Sequence, residues 1–535
     1  MRRTVFLALA LAGLIYVPRL AAPLMWDDRP FLINVPEFAR PVPPRRYLEP
    51  GYFSFSGELT WRPLATLSYA SGVRAFGLNP LPLRLTSLLL HLLNCVLLAL
   101  LVVELGLGAE TAAAAAALFL IHPAHIETLM TVTFNKELLS TFGILAMLLA
   151  HRRRRPGWAA AALAVGVLAK ETGILGLALA PLMDVLAGGP AELRRRWKNH
   201  ALYAAVAAAY LAIRFGPMKG PAGAANLSAA LPWTERIVDA AHGFVASLRI
   251  LLAPVGLRID YFALPAPSRT IAALWLGAAA LILAAVGLLV RLCRRREPMV
   301  AFFLLWPLPV LFLTSNILPT AVLSLRLLAE RWLYLPFAGA LTVVAWFLRG
   351  KPRRLRLLLV FWGLLGLIRI RDWRDEPSLW RSLVRVYPWS AKAVEGYGEA
   401  LFRAGRVDEA RAAFEEGLTL RETHADPILA HYVPLAPPGT IAWESAPLQR
   451  WLGLCALRRG DERAAAAYFR TSAELQPSDV FTDRVLAYLA ARAGDFPAAR
   501  KWLDLGLSRE PDDEFLRRLA PDVTARRLTF AARFD

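Results

Sequence analysis

The sequence predicts an all-α protein in two parts, a polytopic membrane helix bundle followed by a tetratricopeptide-repeat α-solenoid. Three observations predict it. First, 56% of the 535 residues are hydrophobic and the mean hydropathy is +0.42, more apolar than soluble domains of this size. Second, the apolar residues fall in blocks of about 15–25, the length of membrane helices rather than of buried strands. Third, the chain after residue 371 is mixed in polarity and internally repetitive.

Taken in order, spans are expected near 4–24, 83–105, 109–121, 130–150, 157–169, 172–187, 199–215, 270–290, 299–317, 332–348 and 355–371, about eleven in all. Arg2 and Arg3 before an apolar run resemble the start of a signal peptide. The run is long and many more follow, so it reads as a retained first helix. The segment 233–254 is apolar but carries Glu235, Arg236, Asp239, His242 and Arg249, which suits an amphipathic or partly inserted helix.

The net charge of +20 would suggest nucleic acid in a soluble protein. Here the basic residues cluster between apolar blocks, at Arg152-Arg153-Arg154-Arg155, Arg194-Arg195-Arg196-Trp197-Lys198, Arg291 to Arg296, and Arg349-Gly350-Lys351-Pro352-Arg353-Arg354. Such loops mark the cytoplasmic side and attract anionic lipid head groups, so membrane lipids are expected partners and nucleic acid is not. Counting crossings from a cytoplasmic Arg2-Arg3 puts all four loops inside, provided 233–254 does not cross. An odd number of spans then places the C-terminal part outside, with Asp27 and Asp28. In a bacterium this means the inner membrane, with the repeats in the periplasm. Cys95, Cys293 and Cys455 are too scattered for a disulfide framework or a metal site.

Two domains follow, 1–371 in the membrane and 372–535 as repeats. Gly460-Asp461 … Ala464-Ala465 … Phe469 … Pro477 recurs 34 residues later as Gly494-Asp495 … Ala498-Ala499 … Leu503 … Pro511, the tetratricopeptide period. An earlier copy runs from Ala404 through Gly405, Arg406 and Ala410 to Phe414. The inserted stretch from His431 to Gly439 reads as a loop. Such arrays hold peptide segments in a concave groove or act as spacers.

The chemistry is expected around Met25-Trp26-Asp27-Asp28-Arg29, where two carboxylates stand at a membrane boundary. Burial there raises a carboxylate's proton affinity and suits it to act as a base; its neighbour can orient the acceptor or hold a divalent cation. His122, His125 and Glu127 have the ligand chemistry for a transition metal, but their spacing around Pro123 better suits substrate contacts or a helix cap. Lys136 and Glu137 lie within an apolar helix and need partners. Lys170-Glu171, Arg326, Glu330 and Arg331, with Asp260 and Tyr261, fall on the same outer side by the crossing count. Cations there suit a phosphate or pyrophosphate, whereas each alone is a snorkelling residue. No cofactor is implied beyond that optional cation.

Together these stretches resemble a known family: the C-type glycosyltransferases, and most closely the transmembrane and tetratricopeptide-repeat O-mannosyltransferases with their bacterial relatives. The matching motifs run in family order. They are Trp26-Asp27-Asp28 with Asn34, Trp61-Arg62-Pro63-Leu64, His122-Pro123-Ala124-His125-Ile126-Glu127, Lys136-Glu137-Leu138-Leu139, Ala169-Lys170-Glu171-Thr172-Gly173-Ile174, Leu251-Leu252-Ala253-Pro254 with Asp260-Tyr261, and Ser315-Asn316 … Pro319 … Ala329-Glu330-Arg331-Trp332-Leu333-Tyr334-Leu335-Pro336. Where the family has Gly-Arg before an acidic residue, this chain has Asn135-Lys136. The resemblance implies a membrane enzyme that moves a sugar, mannose or another hexose, from a polyprenyl-phosphate to a hydroxyl acceptor with inversion. It implies a base at Asp27 or Asp28, Asp28 being favoured. It implies a protein Ser or Thr as the acceptor, with the repeats presenting it; a glycan or lipid acceptor, and a non-catalytic repeat scaffold for envelope assembly, are the alternative readings.

Overall fold

The computed structural model describes residues 2–535 apart from 57, 59, 220–231, 263–267, 316, 318–325, 424, 428–439, 530, 533 and 535, and apart from the side chains of 326 and 440–443. It divides into two compact units, Met1–Ser378 and Leu379–Asp535. Asp372–Arg374 and the start of the following helix thus belong with the first.

Helices of the first unit are α1 (Arg2–Tyr16), α2 (Pro63–Phe76), α3 (Pro80–Glu104), α4 (Gly108–Ile121), α5 (His125–Met130), α6 (Asn135–Arg152), α7 (Pro156–Ala169), α8 (Gly176–Arg195), α9 (Trp197–Phe215), α10 (Trp233–Leu252), α11 (Arg269–Cys293), α12 (Pro298–Leu305), α13 (Pro307–Thr314), α14 (Tyr334–Phe347) and α15 (Pro352–Arg369). Proline opens α2, α3, α7, α12, α13 and α15, where its missing N–H costs nothing and its fixed φ suits the first turn. Proline also shortens what composition suggested. The first expected span ends as α-helix at Tyr16 and tightens into a 3-10 turn at Val17–Arg19 around Pro18. The expected span 299–317 is broken at Trp306 by Pro307.

Among the described residues, four stretches are long and apolar enough to cross a bilayer: Pro80–Glu104, Val132–Arg152, Glu171–Arg195 and Arg269–Cys293. Gly108–Ile121, Pro156–Ala169 and Pro298–Thr314 are apolar but shorter. Burial separates their roles. Only 6% of the apolar window of α11 is buried, against 83% for the window around α6. So α11 presents an apolar surface that suits lipid, and α6 forms the middle of the bundle. A two-stranded antiparallel ribbon pairs β1 (Tyr261–Phe262) with β2 (Arg326–Leu328).

Glycine sets the closest approach in the bundle. A Cβ on Gly143 would lie 2.5 Å from the Gly166 nitrogen, and one on Gly173 2.3 Å from the Gly166 carbonyl carbon. These three residues bring α6, α7 and the turn Glu171–Leu175 into backbone contact, as small residues do between membrane helices. The same contact seats Lys170 beside Glu137.

The second unit stacks helical hairpins: α17 (Ala391–Arg403) with α18 (Val407–Glu422), α19 (Thr440–Arg458) with α20 (Glu462–Leu475), and α21 (Val480–Arg492) with α22 (Phe496–Arg509), after α16 (Glu376–Val384) and before α23 (Glu514–Thr524). Gly405, Gly460 and Gly494 sit between the partners with φ of 78°, 78° and 79°, the left-handed stop that glycine supplies. Asp461 and Asp495 then cap the second helix, accepting from the N–H of Ala464 and Ala498. Gly398 faces Phe414 and Gly453 faces Phe469, with no room for a Cβ. The third hairpin has Ala487 and Leu503 in that register, both buried. This small-against-large pairing is what the repeat conserves from one hairpin to the next. The loop expected at 431–439 lies outside the described residues.

Gly173→Ala is therefore expected to destabilise the membrane unit by about 1–3 kcal/mol through overpacking, whereas Gly157→Ala, which meets nothing within 4 Å, leaves stability unchanged; thermal unfolding of the two variants in detergent measures the difference.

Candidate active site

The acidic pair is divided by its own turn. Trp26 adopts φ 56°, a left-handed conformation that costs a non-glycine residue of order 1–3 kcal/mol and persists only where its surroundings hold it. Here they do. The Trp26 N–H donates to Glu376 Oε1 at 3.2 Å, and Arg29 Nε donates to Glu376 Oε2 at 2.7 Å. The Trp26 ring meets Phe134 edge-on at 5.5 Å and Trp373 at 6.1 Å.

Past this turn the two carboxylates part. Asp28 is wholly buried. Its oxygens accept from the backbone N–H of Thr133 at 2.9 Å and Val132 at 3.2 Å. Burial pushes its pKa up to about 6, against the opposing pull of Arg84 and the two amides. Asp27 stays half-buried. Among the described residues no donor lies within hydrogen-bond reach of its carboxylate, and it feels the charges of Lys136 and Arg331.

Arg84 is the residue that composition conceals. It lies inside an apolar helix and is fully buried. Its guanidinium donates to the carbonyls of Met130 at 2.8 Å, Leu20 at 3.2 Å and Pro23 at 2.7 Å, and to that of Ala22. A charge just inside the start of the expected span 83–105 was the available signal.

Around the pair, most charged groups are matched. Lys136 Nζ is 3.5 Å from Glu58 Oε1 and sits 5.1 Å from the Phe31 ring. Arg62 bridges Glu58 at 3.1 Å and Glu171 at 2.8 Å, and Arg214 adds a second contact to Glu171 at 3.4 Å. Lys170 pairs with Glu137. Arg331 pairs with Glu127 at 2.5 Å and lies 5.4 Å from the Trp26 ring and 4.7 Å from Phe134. Glu330 is 3.5 Å from Arg369 and accepts from the Tyr261 hydroxyl at 3.0 Å. Burial raises the pKa values of Glu127 and Glu330. Asp260 is buried within electrostatic range of Arg331.

Of the residues expected from sequence, Asp27, Lys136, Glu127 and Arg331 adjoin one another through these contacts, and Glu137, Lys170 and Glu171 flank them. His122 and His125 stand apart in an aromatic core. His125 Nδ1 donates to the Phe119 carbonyl at 2.8 Å and its ring packs 4.8 Å from Tyr334. His122 Nε2 donates to the Leu251 carbonyl at 3.3 Å. Burial depresses the pKa values of both, His122 to about 3. Among the described residues they do not converge with Glu127 as metal ligands. Arg326 lies on β2; its side chain, like Asn316 and Pro319, is outside the described set. Sequence reading did not single out Glu58, Arg84, Arg369 or Glu376, and took Arg62 only as part of a motif.

No protein-family model matches the chain. Among curated proteins it is similar to protein O-mannosyl-transferase Tmtc1 of Drosophila melanogaster, 26% identical over 537 residues, covering 79% of this chain and 62% of that protein. It is 34% identical over 112 residues to protein O-mannosyl-transferase tmtc2 of Xenopus laevis, covering 18% of this chain and 13% of the relative. It is 33% identical over 112 residues to TMTC2 of Homo sapiens, again over 18% and 13%. The chain thus spans less than two thirds of the length of these relatives. A solved APC/C hetero-tetramer, Cut9-Hcn1, aligns at 13% identity and a TM-score of 0.24, over 86% of this chain and 76% of that one, too loosely to inform the fold. The resemblance to the transmembrane and tetratricopeptide-repeat O-mannosyltransferases extends along most of the chain.

Because the folded state raises the Asp28 pKa from 3.8 to about 6, the native protein binds more protons than the unfolded chain between those values. The resulting stability is fully present below about pH 4 and is lost as pH rises through 6, by roughly 3 kcal/mol. The Tm of wild type minus that of Asp28→Asn, measured from pH 4 to 7, should fall across this window and level off above it.

Proposed function

We propose that this chain is a membrane O-mannosyltransferase, taking mannose from a polyprenyl-phosphate donor and placing it on a protein Ser or Thr hydroxyl with inversion. The observation that carries the reading is the contrast within the acidic pair. Asp28 is buried with its oxygens on two amides, and Asp27 is half-buried, without a hydrogen-bond donor among the described residues, and flanked by Lys136 and Arg331. The similarity to named protein O-mannosyl-transferases supports the donor sugar and acceptor class.

The mechanism is a single displacement. An Asp27 oxygen takes the proton of the acceptor hydroxyl as that oxygen attacks the anomeric carbon. The bond from that carbon to the lipid phosphate breaks, and the phosphate leaves with the electron pair. Lys136 and Arg331 stabilise the developing charge, an effect worth most in a water-poor site. Asp28 does not take the proton; it holds the turn that presents Asp27. This reading takes Asp27 rather than the Asp28 favoured from sequence, because the Asp28 oxygens are buried on two amides. Lys170, already ion-paired with Glu137, shapes the wall rather than meeting the phosphate.

In this reading the chain crosses the membrane about eleven times, with the four long stretches, the three shorter apolar ones, and α1, α9, α14 and α15 as spans. The acidic pair and the repeats face outward, in a bacterium toward the periplasm, and the repeats present the acceptor protein. The cationic loops between helices support this orientation.

Transfer from polyprenyl-phosphate mannose to a Ser/Thr peptide, assayed in detergent, separates the two aspartates. Asp27→Asn should lower kcat about 100- to 10,000-fold with Tm unchanged, while Asp28→Asn should lower Tm. Activity of Asp27→Asn within a few-fold of wild type would sink the assignment of the base.

A further inference from the structure

A second polar cluster lies at the far end of the bundle. His151 is at the C-terminal end of α6, one residue before Arg152, and Lys136 is at the start of that helix, roughly 22 Å away at 1.5 Å per residue. His151 Nε2 is 3.1 Å from Asp184 Oδ2, on α8, and His200 Nε2, on α9, is 2.8 Å from the same oxygen. The three candidate ligand atoms lie within 4.8 Å of one another. His151 and Asp184 are buried, and the His200 side chain keeps 15% exposure, which leaves a path to solvent.

The cluster has two hydrogen-bonding arrangements, and one of them suits a cation. Arg196 Nη1 is 3.4 Å from His151 Nε2 and 3.4 Å from Asp184 Oδ1. A guanidinium only donates. If His151 Nε2 carries a proton, it donates to Asp184 Oδ2, and the two Nη1 hydrogens of Arg196 go to the His151 carbonyl at 3.2 Å and to Asp184 Oδ1. If Nε2 is bare, it accepts from Arg196 but faces a carboxylate oxygen at 3.1 Å. The second tautomer has Nδ1–H donating to the Tyr203 hydroxyl at 3.0 Å. That is the arrangement by which an outer partner fixes a metal-bound imidazole. A cation between Nε2 and Oδ2 would select that second tautomer. Arg196 can yield its place, because it also pairs with Glu192 at 2.5 Å.

We propose that His151, Asp184 and His200 form a divalent transition-metal site. Two imidazoles and one carboxylate suit zinc or a similar ion of borderline softness, with water completing the coordination. The ion clips the end of α6 to the middle of α8 and the start of α9, beside the two arginine-rich loops. Arg196 occupies the site in the metal's absence and competes with it. This site is independent of the transferase reading, since it lies a helix length from Asp27 and contributes nothing to the acidic pair.

The test uses the full-length protein in detergent with any affinity tag removed. Zinc retained after dialysis is counted by elemental analysis, and cobalt is followed by its visible absorption. Wild type should retain one more equivalent than Asp184→Asn or His200→Gln, show tetrahedral cobalt bands, and gain several degrees in Tm with zinc, reversed by EDTA. Arg196→Met, which keeps all three ligands, should bind zinc at least tenfold more tightly. Equal zinc retention in wild type and His200→Gln, or unchanged affinity in Arg196→Met, would overturn the site. If the ligand variants fail to fold, the affinity of Arg196→Met against wild type decides alone.

Discussion

The structure of the membrane unit depends on one buried charge, the Arg84 guanidinium. It gathers the carbonyls of Leu20, Ala22 and Pro23, which the first helix leaves unpaired as it ends, and that of Met130 before α6. A guanidinium held in an apolar bundle needs every donor satisfied and an anion near by, or its desolvation is not offset. Asp28 supplies the anion, and its own oxygens are completed by the amides of Val132 and Thr133. One arginine and one aspartate thus join the loop after α1 to the turn before α6. Trp26, Asp27 and Lys136 take their places from that junction.

Beyond it the charges alternate, and the alternation has a consequence for binding. Arg62 sits between Glu58 and Glu171, Lys170 against Glu137, and Arg331 against Glu127. A cation already matched to a carboxylate must weaken that pair to hold a phosphate, and the loss subtracts from affinity. Among these, Lys136 has the longest ion pair, 3.5 Å to Glu58, with aromatic faces at 5.1 and 5.9 Å completing its surroundings. An ammonium held by ring quadrupoles and one distant carboxylate gains most when a phosphate arrives. The bidentate pair of Arg62 with Glu171, at 2.8 and 3.0 Å, gains least and serves to fix the wall.

Much of this was legible in the sequence because it is local. The repeats announce themselves through Gly460-Asp461 and Gly494-Asp495, where one residue stops a helix and the next caps another. The apolar blocks and the acidic pair are equally plain. Proline misled the reading of helix length, since composition does not show that Pro18 and Pro307 divide continuous apolar runs. The partnerships were not legible at all. Glu376 reaches Trp26 and Arg29 from 350 and 347 residues away, and Arg331 reaches Glu127 from 204. His122 and His125 looked like substrate ligands because histidine is polar, yet nothing local reveals that Tyr334 and Phe337 enclose them.

Two adjacent aspartates cannot serve one purpose at a low-dielectric edge. Like charges side by side disfavour each other's ionisation, and burial of both would neutralise at least one. The chain avoids this with its backbone. Trp26, in the left-handed region at φ 56°, turns the strand so that Asp28 goes inward to the amides and Asp27 remains half-exposed. The inward carboxylate can tolerate a raised pKa because its role is to accept hydrogen bonds, which it does in either protonation state through at least one oxygen. The outward one stays beside Lys136 and Arg331. A strained tryptophan pinned by Glu376 is thus the device that turns a repeated residue into two chemically distinct groups. Releasing that strain would let the pair share one environment and blur the distinction.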